Sequence, residues 1–278
     1  MNDLSKKGLV RFSVFLLLGF VLTGMCGILL FAQPAAAAEK IRLSCSAQVY
    51  EAFKGQTLSN FTKQTGIKVQ VDRLSSHAAV SRLSNRMSDL AATAEDLHPR
   101  YKAEGMIEIP FCRDALVIIT HIQNPVRSLT LTQLRGLFSG VITNWKDVGG
   151  PDLQVRVISP DRGTAAFNMF TSQVMRGGHI NYYLLTAEST AAGDATRRYK
   201  GSISYVNQAA VRGKPGATRI LKVDGLGPAD PKYPYYETFS LVTNGQPKGM
   251  VKKFVDYVFS AEAQKVISSL GMKPLNRP

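Results

Sequence analysis

The alternation of apolar and polar positions divides the chain into a leader and a long α/β body. Residues 12–32 are almost entirely apolar and follow Lys6, Lys7 and Arg11. PAAAA comes next, then Glu39. A basic start, an apolar run and small residues at Ala36 and Ala38 predict a secretory signal, residues 1–38, cleaved after Ala38. An uncleaved membrane anchor is the alternative, because an apolar run of this length can span a bilayer. Cys26 invites a lipoprotein reading, but Met25 before it is larger than the small residue lipidation favours.

From Glu39 the pattern changes to strands and amphipathic helices. IRLSC predicts a first strand, followed by a small-residue loop at Ser44, Ser46 and Ala47. A helix with Phe53, Leu58 and Phe61 on its buried side ends near Gly66, and IKVQVDRL is a second strand. Strand, helix, strand implies a parallel pair with a right-handed crossover. The device repeats with Ser75, Ser76 and His77 before a helix carrying Val80, Leu83 and Met87, then the short buried strand DLAAT. IEIPFCRDALVIITH is a strand long enough to cross from one lobe to another.

The stretch from Ser128 to Phe170 reads as helix, turn, strand, polar loop, helix. Thr130 caps the first helix with Gln133 as its capping-box partner, and Gly140 ends it. Leu131, Leu134 and Leu137 form its apolar face. Gly149, Gly150 and Pro151 make a turn, and LQVRVIS alternates as a strand. SPDRGTAAF then leads into a helix with Phe167, Phe170 and Val174. A strand that ends in a small polar loop and opens a helix can bind an anion, because first-turn N–H groups and the helix dipole favour negative charge. Residues 176–201 read as helical or irregular. GSISYV is a strand expected to return the chain to the first lobe, YPYYETFSLVTNG is another, and two helices joined at Ser260 close the chain.

Charge and cysteines narrow the partners. The formal net charge is +14. Losing residues 1–38 removes Lys6, Lys7, Arg11 and Asp3, which leaves +12. A basic chain fits an anionic solute or a polyanionic surface. No nucleic-acid motif and no dense basic run interleaved with aromatics accompanies the charge, so nucleic acid is not an expected partner. Cys45 and Cys112 fit no metal-ligand spacing and no C-x-x-C pair. Export leaves two options for them, a disulfide or two buried free thiols. No Ser/His/Asp arrangement and no paired-carboxylate motif is present, so an enzyme is not expected.

TLTQLRGLFSGVITNWKDVGGPDLQVRV, with the pair Asn144–Trp145 followed by VGGPDL, resembles the second-lobe signature of phosphate-binding proteins of ABC transporters. The Gly201–Tyr205 segment and the tail residues Ser260, Gln264, Gly271, Pro274 and Leu275 are similar to that family as well. The resemblance implies an α/β, two-lobed periplasmic-binding-protein (type II) fold with a ligand cleft between lobes. Lobe one would be 39–113 and 206–278, and lobe two 114–205. It implies a periplasmic monomer that takes inorganic phosphate or another small oxyanion to an inner-membrane permease, with no cofactor.

The candidate ligand-binding residues carried by the resemblance are Ser46, Ser76, Thr93, Arg162, Gly163, Thr164 and Ala165. Hydroxyls and helix-start amides satisfy a desolvated oxyanion without full countercharges, although each Ser or Thr also suits ordinary helix capping. The loops depart from the family in places. Asp161, Gly163 and Phe170 match, but Thr164, Ala165, Ala166 and Phe167 replace Ser-Gly-Thr-Arg. Ala94 stands where the family has Asp or Ser, and Cys45 replaces a Gly. Arg162 and His77 are the nearby cations that would compensate. Another anion, or a sensor or adhesion role, is the alternative function.

Overall fold

The computed structural model describes residues 39–212 and 218–278, so the expected signal at 1–38 lies outside the described residues. The strands and helices follow in chain order. The first third contains β1 (Lys40–Ser46), α1 (Ala47–Phe53), α2 (Gln56–Thr65), β2 (Lys68–Leu74), α3 (Ser76–Ser84), β3 (Leu90–Thr93) and α4 (Pro99–Ala103). The middle contains β4 (Met106–His121), β5 (Ser128–Leu129), α5 (Leu131–Ser139), β6 (Arg156–Pro160), α6 (Ala165–Met169), β7 (Leu184–Thr186) and α7 (Ser189–Arg198). The remainder contains β8 (Ser202–Asn207), α8 (Gln208–Arg212), β9 (Thr218–Val223), β10 (Tyr236–Asn244), α9 (Gly249–Val258), α10 (Ala261–Ser269) and β11 (Lys273–Pro274).

The long strand β4 organises the rest. Its first part, Met106 to Ala115, pairs antiparallel with β10, while Leu116 to His121 pairs with β8 and β9. The strand order β2-β1-β3-β10-β4-β8-β6-β7 therefore runs continuously through two lobes that share β4. On one side β1 pairs parallel with both β2 and β3. On the other, β6 pairs parallel with β7 and β8. The pairs made by β1 are the predicted crossovers, whereas those made by β6 were not expected; the strands β1, β2 and β6 each end at a helix start.

Each lobe has its own apolar core. In the first, Phe53, Phe61, Phe111 and Phe254 stack around β1 and β4. In the second, Phe138, Phe170 and Tyr205 form an aromatic cluster in which the Phe170 and Tyr205 rings stack with centroids 3.9 Å apart. Trp145 is fully buried beside them and donates from its indole nitrogen to the Gly201 carbonyl at 2.8 Å. Asn144 explains why this Trp follows an Asn. Its side-chain oxygen accepts from Lys146 and Leu153 backbone nitrogens, and its amide donates to Asp152 at 2.7 Å. One side chain thus pins the turn around residues 145–153.

Four details differ from the sequence reading. The single helix expected before Gly66 is broken into α1 and α2 at Gly55, whose φ of +71° a helix cannot hold. The helix after the 161–164 loop is short and continues as a π-turn at Phe170–Val174. A strand, β7, forms inside the region read as helical or irregular. The Gly201–Tyr205 strand forms as β8 on the second half of β4 and leads into α8, whose Ala209 packs in the first-lobe core, but β9, expected in the first lobe, pairs with the second half of β4. Hydrogen-bond pairing along β4 decides this, and local periodicity carries no information about strand partners.

Cys45 and Cys112 are free and buried, which resolves the two cysteine options in favour of thiols. Burial pushes both thiols well above their ordinary value.

Candidate functional site

Four loops at strand ends face the junction of the lobes, and in each a hydroxyl is tied to backbone. Ser46 closes β1 and caps α1, accepting from the Val49 amide at 3.4 Å. Ser75 caps α3 through the Ala78 amide at 3.2 Å. Ser76 accepts from the Ala94 amide at 3.2 Å and so ties the second loop to the third. Thr93 accepts from the Glu95 amide and donates to the Glu95 carbonyl, both at 3.0 Å. In the fourth loop Asp161 accepts from Gly163 N–H, and Thr164 donates to the Asp161 carbonyl and caps α6 through Phe167 N–H. Small polar residues fold this way because their side chains replace the backbone partners that a helix start lacks.

The lobes meet at these loops. Ala94 and Ala165 are buried in the core cluster of the first lobe, although Ala165 comes from the second. Asn168, on α6, donates to Glu95 at 2.8 Å across the junction.

A cleft with a volume of about 770 Å³ is lined from both lobes. One wall carries Gln48, Arg73, Ser75 and Arg82, and the other Asp161, Gly163, Thr164 and Glu188. Arg82 pairs with Asp72 at 2.9 Å, while its Nε is buried without a partner. Arg73 lies over the Tyr50 ring, 5.4 Å from its centroid. Gln48 is buried, and its amide nitrogen has no partner either. Free donors and two guanidiniums suit an anionic ligand on the first wall. The volume is in the range of small-molecule sites and exceeds the needs of a tetrahedral oxyanion.

The predicted residues are only partly brought together. Gly163 and Thr164 line the large cleft, where Ser75 rather than Ser76 joins them. Ser46 sits buried one residue before the lining Ala47. Ser76 and Thr93 line a separate cavity of about 320 Å³ with His77, Glu95 and His98. Arg162 is exposed and lines a third, of about 150 Å³, with Phe167, His179 and Tyr182. Ala165 contributes to packing. The cleft's own cations, Arg73 and Arg82, were not picked out in the sequence. The available signal is their nearness to Ser75–Ser76: Arg73 lies near the end of β2, two residues before Ser75, and Arg82 lies on α3, the helix that Ser75 caps. No group of three or more His, Cys, Asp or Glu among the described residues could hold a metal ion.

Residues 32–262 match the sequence model of a family described as a PBP superfamily domain. The chain belongs to the PBP superfamily. The phosphate-binding protein PstS of Borreliella burgdorferi is 23% identical over 219 residues, covering 73% of this chain and 78% of that protein. Among solved structures, a Clostridium perfringens substrate-binding protein with bound phosphate superposes with a TM-score of 0.75 at 22% identity, over 86% of this chain and 100% of the other. An ABC-type phosphate transport receptor from Vibrio cholerae gives 0.65 at 21% identity, over 84% and 99%. These likenesses establish the two-lobed α/β binding-protein fold. No described helix is long and apolar enough to cross a membrane.

Proposed function

We propose that this is an exported solute-binding protein, not a catalyst, that captures phosphate between its lobes and hands it to an ABC permease. The observation that carries the reading is the cleft itself: capping loops at the ends of β2 and β6 face each other across a junction spanned by β4, with Arg73 and Arg82 on one wall. The PstS relative and the phosphate-bound structural neighbour support phosphate as the ligand. Of the residues carried by the resemblance, Gly163 and Thr164 would meet it in the cleft, with Ser46 buried beside the lining Ala47; Ser76, Thr93, Ala165 and Arg162 lie outside this cleft and would take part only after the lobes shift. The leader at residues 1–38 supports a periplasmic location, and a monomer suffices for the task.

A thermal-melt series tests the reading. A ligand that binds only the folded chain adds about 2.7 kcal/mol of stability at a hundredfold excess over Kd. Phosphate and arsenate should raise the midpoint and sulfate should not. No shift with any of them would sink phosphate capture. The size of the cleft and the Ala94, Ala166 and Phe167 departures favour one second reading, a larger anionic ligand. A shift with organic phosphates but not with phosphate would select it.

A further inference from the structure

Among the described residues, β4, the β8–α8 junction and the start of β10 meet where the lobes join, and buried polar side chains link them. Asp114 on β4 and Glu237 on β10 stand directly opposite each other in the antiparallel ladder, at the last residues before β4 enters the second lobe. Asp114 is fully buried and Glu237 is 3% exposed. Asn207, where β8 passes into α8, is fully buried and donates to Glu237 Oε2 at 2.6 Å. The Ala209 amide at the start of α8 donates to Asp114 Oδ2 at 3.2 Å. The other oxygens, Asp114 Oδ1, Glu237 Oε1 and Asn207 Oδ1, have no hydrogen-bond partner.

Among the described residues, no cation balances the pair. Neither residue takes part in an ion pair among the described residues. The charged and titratable groups that face them are Glu51 from α1, Glu95 from the loop after β3 and Cys112 on β4. Glu51 is itself paired with Lys54. Arg113, between Cys112 and Asp114, points to the exposed face of the strand. Two carboxylates opposite each other in a dry site cannot both ionise without great cost, and a proton held by the pair removes one of the two buried charges.

We propose that Asp114 and Glu237 hold a shared proton while the lobes are closed, and that losing it favours the open hinge. The inference rests on the proposed two-lobe capture for the motion it controls. Closure keeps α1 and α8 packed over the pair, with Ala209 in the first-lobe core. A second negative charge is tolerated only when water reaches it, and opening the lobes admits water. Burial pushes both carboxyls up, Glu237 to about 7, so the change falls in the neutral range. Ligand capture would then release no proton at low pH and take one up at high pH.

The test uses protein purified from cells expressing the full chain, with inorganic phosphate as the probe. Phosphate affinity is measured at about pH 6 and about pH 8.5 for the wild type and for Glu237→Gln, which mimics the protonated carboxyl and faces the same ionisation of phosphate. The ratio of the two dissociation constants, wild type over variant, should rise about tenfold with pH. A ratio independent of pH overturns the proposal. Paired spin labels on the two lobes, without ligand, should separate with rising pH in the wild type and not in Glu237→Gln. This arm decides the matter even if phosphate does not bind. Equal distances at both pH values overturn it. Should the variant not fold, infrared spectroscopy of the wild type at about pH 7 should contain the C=O band of a buried protonated carboxyl, and its absence overturns the proposal.

Discussion

Asn168 reaches across the junction and donates a hydrogen bond to Glu95 at 2.8 Å, the second lobe gripping the first beside the third capping loop. Both side chains are partly or fully exposed, so the bond contributes little to folding. It exists only while the lobes touch, and so it belongs to the closed state. Asn168→Ala should leave the melting midpoint of the ligand-free chain within about a degree. It should weaken ligand capture by about fivefold, the equivalent of about 1 kcal/mol. Calorimetric titration of wild type and variant checks this, and equal affinities would mean that the bond does not act in closure.

The capping box on α5 is a purely local device. Thr130 accepts from Gln133 N–H at 3.1 Å while the Gln133 side chain accepts from Thr130 N–H at 2.9 Å. Thr130→Ala should cost about 1 kcal/mol in urea unfolding, with an unchanged slope.

Trp145 combines packing with one hydrogen bond. Its acceptor, the Gly201 carbonyl, also receives the Arg156 amide at 2.9 Å, so removing the indole does not orphan that oxygen. Trp145→Phe should therefore cost about 1–3 kcal/mol, from the lost bond and a small void. Trp145→Ala should cost about 3–5 kcal/mol. Equal losses from both would place the energy in the hydrogen bond instead of the packing.

Stability should depend on pH through carboxyls shifted in opposite directions, of which Asp89 and Glu237 are examples. Asp89 is held low by its bidentate contact with Arg42, at 2.7 and 3.1 Å. Its contribution is present above the ordinary aspartate range and lost as pH falls through the lowered value. Glu237 is raised by burial from 4.5 to about 7. Between those values the folded state binds the extra proton, so stability falls as pH rises through that window. Denaturant midpoints measured from acid to pH 8 should fall at both ends. Asp89→Asn should flatten the acid limb and Glu237→Gln the upper one.

Much of this architecture was legible along the chain because it is local. The capping box at Thr130–Gln133, the stop at Gly140, the cap at Ser260 and the long strand through Cys112 depend on neighbours within a few residues. The break at Gly55 was not read, since a lone Gly is tolerated in many helices and only its positive φ reveals the end. β7 and β9 gain their strand character from pairing with β6, β4 and β5, partners remote in sequence. The site divides the same way. Thr164 and Gly163 announce themselves as a loop before a helix. Arg73 and Arg82 face the cleft because of how β2 and α3 dock, and Asp114 meets Glu237 only through a register set between residues far apart in the chain.

The most direct measurement of the central claim is equilibrium binding of labelled inorganic phosphate to the exported chain after exhaustive dialysis, with sulfate as competitor. Phosphate capture between the lobes requires saturable binding of one phosphate per chain that excess sulfate does not displace and that weakens when Arg73 and Arg82 are both replaced by Ala. Absence of saturable binding, or displacement by sulfate at equal concentration, would contradict it.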